Sequence, residues 1–453
     1  MVKPNIVVML MDNLGYGDPG CFGSTVHRTP HVDRLAAEGM RLTSFYSTSG
    51  VCTPSRASLM TGCYPRRVSM HIGGRQTAVL MPGDLRGLHP EEITVARALK
   101  GAGYATACIG KWHLGDQPEF LPRRHGFDTF FGVPYSEDMV PTPQHPERPP
   151  LPLMQDDRVI EAPVDRDYLT QRYTQAAADF IRAHHDRPFF LYLSHAMPGS
   201  TARPFASPAF QGRSAHGPYG DAVEELDWST GQIMTALQEL GLDDRTLVLW
   251  TSDNGAVRRN PPQGSNAPLK GWGYDTSEGG QRVPCIARWP EVIPAHTECD
   301  QVSTMMDLWP TAAALAGFPL PADRILDGHD LLPLLTRAEG AQSAYTDHGF
   351  FYYHLDQLQA VRSGPWKLYL PLERKLDKLR PLYDQCGPSP AMLFDLDDDI
   401  DEKRDLASSQ PEVVARLTRL ADAARADLGD HDRQGLGQRP SGWVDDPRPP
   451  LLD

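Results

Sequence analysis

Short apolar runs punctuate the chain, and each stops abruptly at polar residues. "NIVVML" (5–10) runs into Met11, Asp12 and Asn13, and "YATACIG" (104–110) into Lys111, Trp112 and His113. "PFFLYL" (188–193) runs into Ser194 and His195, and "TLVLWT" (246–251) into Ser252, Asp253 and Asn254. Runs of this length, apolar at every position, predict strands buried on both faces. Between them lie segments with apolar residues three to four apart, at 31–39, 91–101 and 220–240, which predict helices. The first two end in glycine, a helix stop. Strands alternating with helices predict an α/β fold, a mostly parallel sheet flanked by helices on both faces. Such sheets bind ligands beyond the carboxyl ends of their strands, where Asp, Asn, Lys and His gather here.

The texture changes near residue 340. "FFYYHLDQLQAVRSGPWKLYL" (350–370) and "AMLFDLDDDIDEKRDLA" (391–407) predict antiparallel strands, and 411–427 a helix. The expected organisation is a catalytic domain over 1–340, a smaller C-terminal α+β domain over 341–437 and a Pro-rich arm over 438–453. The acidic run at 395–402 reads as a solvated turn, because it lacks the glycine and spacing of an EF-hand. The Pro-rich stretch at 141–152 reads as an excursion from the fold.

A chain of 453 residues with 40% hydrophobic content and no span-length apolar run is expected to be soluble. The start lacks a signal-peptide pattern, so a cytoplasmic location is expected. Seven cysteines, an odd number, give no disulfide framework. A net charge of −14 excludes nucleic acid as the main partner, and no membrane partner is expected; a homo-oligomer is allowed. Any bound anion must be held by local cations.

Two "Asp-Asn" pairs, Asp12–Asn13 and Asp253–Asn254, follow buried strands. Their hard oxygen donors suit Ca²⁺ or Mg²⁺ rather than zinc. In "VCTPSRASLMTG" (51–62), Cys52 precedes Pro54, a residue suited to the first turn of a helix. Cys52 thus sits at a helix N-terminus that favours negative charge, with Arg56 one turn on. Lys111 and His113 arrive from a neighbouring strand. The set describes a site for a tetrahedral anion, with a nucleophile at its centre and a divalent cation beside it.

"CTPSRASLMTG" resembles the signature of the sulfatase family. "MDNLGYGD" (11–18), "GKWHLG" (110–115), "TSDNG" (251–255), "EGGQRVP" (278–284) and "GPWKLY" (364–369) resemble further sulfatase blocks, in order. "HGPYGDAVEELDWSTGQI" (216–233) is similar to the arylsulfatase-A and galactosamine-6-sulfatase branch. The resemblance implies an alkaline-phosphatase-like domain and conversion of Cys52 to Cα-formylglycine by a maturation enzyme. The aldehyde hydrate carries two hydroxyls, one to attack sulfur and one to expel sulfate. It further implies Ca²⁺ held by Asp12, Asn13, Asp253, Asn254 and residue 52. Arg56 and Lys111 would orient hydrate and sulfate, with His113 as base.

Three positions depart from the pattern. Asn13 stands where the family has a second Asp. In "HAMPGSTARP", His195 matches the first His of His-x-Met-Pro-His-x-Pro, but Gly199 stands at the leaving-group His. In "LKGWGYDTSEGG", against the family's "LRGGKGxTxEGG", Gly273 stands at the sulfate-binding Lys and Lys270 at the Arg. His195, Lys270 and His216 are the expected substitutes, and the two glycines are expected to leave spare volume. The expected function is Ca²⁺-dependent hydrolysis of a small anionic sulfate ester. Sulfamate hydrolysis, phosphodiester or phosphonate hydrolysis, and non-catalytic anion binding are the alternatives.

Overall fold

In the computed structural model, residues 3–376, 385–386, 388–431 and 433–452 are described. Among them, ten strands form the main sheet: β1 (Asn5–Asp12), β2 (Met40–Leu42), β3 (Ala105–Gly110), β4 (Thr129–Gly132), β5 (Leu153–Gln155), β6 (Arg158–Glu161), β7 (Phe189–Pro198), β8 (Thr246–Ser252), β9 (Cys285–Arg288) and β10 (Thr297–Cys299). Their order is β10-β2-β9-β8-β1-β7-β3-β4-β5-β6. The centre, β8-β1-β7-β3-β4, is parallel, as expected. Antiparallel pairs join β8 to β9 on one side and β4 to β5 on the other, so the sheet is mixed.

Strand alternation sorts the core into two layers. Ile6, Val8 and Leu10 of β1 face α2 (Cys52–Thr61), α3 (Val95–Gly101) and a helix over Leu308–Ala316. Val7, Met9 and Met11 face α1 (Pro30–Ala37), α4 (Leu169–Ala183) and α5 (Gly217–Glu239). The helix expected from residue 91 begins at Val95, where Thr94 caps it by accepting from Arg97 N–H.

The C-terminal part is a four-stranded antiparallel sheet in sequence order, β11 (Phe350–His354), β12 (Gln357–Ser363), β13 (Trp366–Tyr369) and β14 (Met392–Asp395), packed by the helix Pro411–Leu428. It is riveted to the main sheet by a buried ion cluster. Lys367 Nζ lies 2.9 Å from Glu278 and 3.1 Å from Glu402. Burial alone would raise the Glu278 carboxyl, but Lys367, Arg282 and Arg362 outweigh it and hold it well below the usual range. The "EGG" and "GPWKLY" blocks therefore meet here, in a structural role. Glu402 is buried, so the acidic run is not solvated at its far end.

The Pro-rich C-terminal arm does not trail. Arg439 pairs with Glu92 at 2.8 Å, Gly442–Trp443 adds a strand to Arg86–Gly87, and Arg448 N–H reaches Gln117 at 2.9 Å. No helix among the described residues is long and apolar enough to cross a membrane.

Candidate active site

Parallel pairing fixes the first half of the site. Met11 is level with Ser252, so Asp12 and Asp253 leave adjacent strands side by side at the carboxyl edge. Asn13 turns the chain at φ 58, and its backbone N–H donates to Asp253 at 3.0 Å. The second half comes from α2, whose first residue is Cys52 and whose end is set by Gly62 at φ 68. The Cys52 thiol points at Asp12, 3.5 Å away. Single donor atoms of Asp12, Cys52 and Asp253 all lie within 4.8 Å of one another, and all three residues are buried.

Two cations clamp the carboxylates. Arg56 donates to Asp253 through Nε at 3.0 Å and Nη2 at 2.8 Å, and to Ser194 Oγ and Lys111 O. Lys111 Nζ donates to Asp12 and, at 3.0 Å, to Ser136 Oγ. Both are fully buried behind Cys52. Burial works against the Lys111 charge, yet Asp12 and Cys52 hold its pKa above the usual value. Burial and neighbouring Asp12 push the Asp253 carboxyl up even with Arg56 present. Burial first, then Asp12 and Asp253, push the Cys52 thiol well up, so it rests un-ionised.

This donor set fits a hard cation. Two buried carboxylates crowd one point, and Asn254 Oδ1 is a buried oxygen with no partner among the described residues. Asn254 Nδ2 is spent on Asn13 Oδ1 and Gly255 O, while Asn13 Nδ2 donates to Ser200 Oγ at 3.0 Å.

His113 completes the core. Its Nε2 lies 3.0 Å from Leu80 O, and a carbonyl only accepts, so the ring proton sits on Nε2. Nδ1 is left buried, without a partner among the described residues. Burial, with Lys111 and Arg56 nearby, pushes the His113 pKa well below its ordinary value. Cys52 and His113 open onto a cavity of 620 Å³, the size of a small-molecule site. Val51, Ala78, Val79, Met139 and Tyr274 give it apolar wall, and the Pro-rich excursion supplies Thr142, Gln144, His145 and Arg148.

The three expected substitutes are elsewhere. His195 follows Ser194 on β7, and alternation sends it to the opposite face of the sheet from Arg56. There it is wholly buried, 3.0 Å from Ser229 Oγ, with its pKa pushed down to about 3 by burial. Lys270 reaches Glu402 O at 3.0 Å and the Phe394 ring, tying the main sheet to the C-terminal part. His216 stacks edge-on with His27 beside a separate surface cavity.

The expected spare volume is also absent. Gly199 has φ +71, and a Cβ there would overlap the Glu137 carboxylate; a Cβ at Gly273 would overlap Gly255 O. Glu137 was not anticipated. It is buried, accepts from Ser136 Oγ at 2.9 Å and Ser200 N–H at 3.2 Å, and burial with Asp138 and Asp12 raises its pKa to about 8. The signal was present: "TFFGV" is one more apolar run ending in polar residues, and β4 is parallel to β3. Tyr274 and Ser200, which line the cavity beside Cys52, were missed as well. Tyr274 occupies the slot where the family block has its second glycine of "GKG".

A parallel-centred sheet carrying buried carboxylates, cationic clamps and a nucleophile-bearing helix at its carboxyl edge defines an alkaline-phosphatase-like hydrolase. The sulfatase model matches residues 4–318, and the model for the C-terminal region of aryl-sulfatase matches 346–441. The chain belongs to the sulfatase family and is a sulfuric ester hydrolase. It is 37% identical to steryl-sulfatase of Mus musculus, over 93% of this chain and 81% of that one. Identity to N-acetylgalactosamine-6-sulfatase of Canis lupus familiaris is 41%, over 81% and 71% of the two chains. Among solved structures, PsFucS1 sulfatase from Pseudoalteromonas sp. superposes with a TM-score of 0.83 at 28% identity, covering 94% of this chain and 90% of that one.

Proposed function

We propose that this chain is a formylglycine- and Ca²⁺-dependent sulfohydrolase that releases sulfate from a small ester with an apolar, aromatic body. The observation that carries the proposal is Cys52 itself, the first residue of α2, facing Asp12 and Asp253 on one side and the 620 Å³ cavity on the other. The apolar wall of Val51, Ala78, Val79 and Met139 favours an aromatic body. Relatives of this chain act, by their names, on steryl and sugar sulfates, so removal of sulfate is common to them.

Formylglycine at position 52, made from Cys52 by a maturation enzyme, would supply as its hydrate two hydroxyls, one as nucleophile towards sulfur and the other for release of sulfate. Asp12, Asn13, Asp253, Asn254 and residue 52 would hold the calcium ion, which would supply Lewis-acid chemistry for a sulfate oxygen. The remaining work falls to this chain's side chains. Lys111 and Arg56 fix the two carboxylates by charged hydrogen bonds in a dry setting, where such bonds are strong. His113 is kept neutral by burial, and its Nε2–H on Leu80 O aims Nδ1 as a proton acceptor. The N-terminus of α2 favours negative charge at residue 52.

The test is a chain coproduced with a formylglycine-generating enzyme. Mass spectrometry of the peptide spanning residue 52 is expected to show the aldehyde, and aryl sulfates to turn over faster than sulfamates and phosphodiesters. Chelation should abolish turnover and added Ca²⁺ restore it. Full activity with only unmodified thiol, or faster sulfamate than ester cleavage, overturns the reading.

A further inference from the structure

The two glycines at the departures from the family pattern are each followed by a hydroxyl-bearing residue, and the fold brings those hydroxyls together. Ser200 Oγ and Tyr274 Oη lie 2.8 Å apart, and both residues line the cavity that contains Cys52. We infer that this pair is the leaving-group apparatus of the site, with Tyr274 as a catalytic hydrogen-bond donor to the ester oxygen and Ser200 as its positioning residue. The inference rests on the sulfate-ester reading above and specifies its leaving-group side.

Counting protons leads to the donor. Ser200 Oγ already accepts from Asn13 Nδ2 at 3.0 Å. The two hydroxyls carry two protons, and the bond between them uses one. The second has no acceptor among the described residues and belongs to a pair facing the cavity. When Ser200 donates to Tyr274, the Tyr274 proton is the free one.

Backbone geometry points the same way. Tyr274 has φ 79, a left-handed conformation that a bulky side chain adopts only under strain. Its N–H is held by Gly50 O at 3.0 Å, in the loop just before Cys52, and Gly273 N–H is held by Ala256 O at 2.8 Å. Gly199 N–H is bonded to Asp12 O at 3.0 Å, which sets Ser200 beside the carboxylate cluster. Neither glycine has room for a side chain, so the residue after each one carries the polar group into the cavity.

In the step itself, the S–O bond breaks with its electron pair left on the ester oxygen, and the sulfuryl group goes to the nucleophile of the proposed reaction. The Tyr274 hydroxyl stabilises the developing oxyanion by a hydrogen bond and keeps its proton. The departing oxygen takes a proton from water. Such a donor contributes more as the leaving oxygen becomes more basic, because more charge then develops on it.

The experiment compares phenyl sulfate with 4-nitrophenyl sulfate on wild type, Tyr274→Phe and Ser200→Ala, each carrying formylglycine. Tyr274→Phe is expected to lower kcat/KM for phenyl sulfate by about 10²-fold and for 4-nitrophenyl sulfate by less than about threefold. Ser200→Ala should move the ratio in the same direction, by about tenfold or less. A ratio taken on one preparation cancels any loss of folded protein. A crystal of the Cys52→Ala variant with phenyl sulfate gives a readout independent of turnover, with Tyr274 Oη expected about 3 Å from the bridging oxygen. Equal losses on both esters, or a Tyr274 hydroxyl turned away from the bridging oxygen, overturn the inference while leaving sulfate-ester hydrolysis standing. A wild type that cleaves neither ester overturns both.

Discussion

Replacing Gly199 by alanine tests whether the leaving-group side of the site is filled or open. An L-residue at φ +71 costs about 1–2 kcal/mol relative to glycine. The added Cβ also overlaps Glu137 Oε1 and presses on Ala196 O, part of the central strand β7, and overpacking of this kind costs about 1–3 kcal/mol. The sum is about 2–5 kcal/mol. For 453 residues, at about 2.1 cal/mol/K of unfolding entropy each, 1 kcal/mol moves Tm by about 1 °C, so a fall of about 2–5 °C is expected. Glu137→Ala removes the overlapping carboxylate but not the backbone term. The double variant should therefore be less destabilised than the sum of the singles, by about 1–3 kcal/mol. Urea denaturation of the four proteins supplies the cycle. A Gly199→Ala cost below about 0.5 kcal/mol, or strict additivity with Glu137→Ala, would refute the packing argument. By the same reasoning Gly199→His, which puts back the imidazole of the family pattern, lowers activity on alkyl and aryl esters alike.

Asp253→Asn takes from buried Arg56 its hydrogen-bonded carboxylate, leaving Asp12 3.8 Å away, and should cost about 3–5 kcal/mol; a Tm rise on adding Ca²⁺, expected in calorimetry of the wild type on the proposed reading, should be absent from the variant. Lys367→Met, at a position that does not line the cavity, should cost a similar amount by leaving Glu278 and Glu402 without their shared lysine, with KM unchanged in the folded fraction. Lys270→Met should hold kcat/KM within about twofold, since Lys270 meets Glu402 O and Phe394 rather than substrate. His195 and His125 are both buried with pKa values pushed down to about 3, so the unfolded chain binds more protons than the folded one below about pH 6.5. The part of the stability these two supply is then full above that pH and falls by about 1.4 kcal/mol per pH unit per histidine as pH drops towards 3; His195→Gln should remove one such share, about 1.4 kcal/mol per pH unit, from the slope measured in acid-unfolding curves.

The clustering of Asp12, Cys52, Arg56, Lys111 and Asp253 was legible because polar chemistry and topology fall on the same residues. A parallel strand must be apolar along its length and can turn polar only at its carboxyl end, so Asp12, Lys111 and Asp253 announce themselves by position alone. Cys52 was legible through helix grammar, with Pro54 and Gly62 bounding the first and last turns. His195 was misread because a match to a motif does not give strand parity. Only the register of β7, with Ser194 on Arg56, shows that the next side chain faces α4 and α5. Lys270 and His216 failed for a different reason: sequence distance from a motif says nothing about which cavity a loop residue enters. The φ values of Gly199 and Tyr274 come from tertiary contacts with Asp12 O and Gly50 O, and no local pattern encodes them.

The departures gain a common explanation once Glu137 is considered with them. Burial, with Asp138 and Asp12, raises the Glu137 pKa, and its carboxyl occupies the space into which a side chain at 199 would grow. A histidine at 199 and Glu137 therefore exclude one another on volume. With no cationic side chain at 199 or 273, that side of the cavity offers neutral hydroxyls, and of the arginines only Arg148 lines the wall. Neutral donors stabilise charge that develops on a leaving oxygen without binding a second anionic group in the ground state. That difference separates transition-state from ground-state stabilisation. A substrate carrying further sulfates gains little from such a wall, whereas an uncharged aromatic body gains burial against Val51, Val79 and Met139. At about 25 cal/mol per Å² of apolar surface, burying 100 Å² of a ring there contributes about 2.5 kcal/mol. On the proposed reading, the residues that depart from the family pattern at 199 and 273 are thus the ones that suit this cavity to an aryl ester.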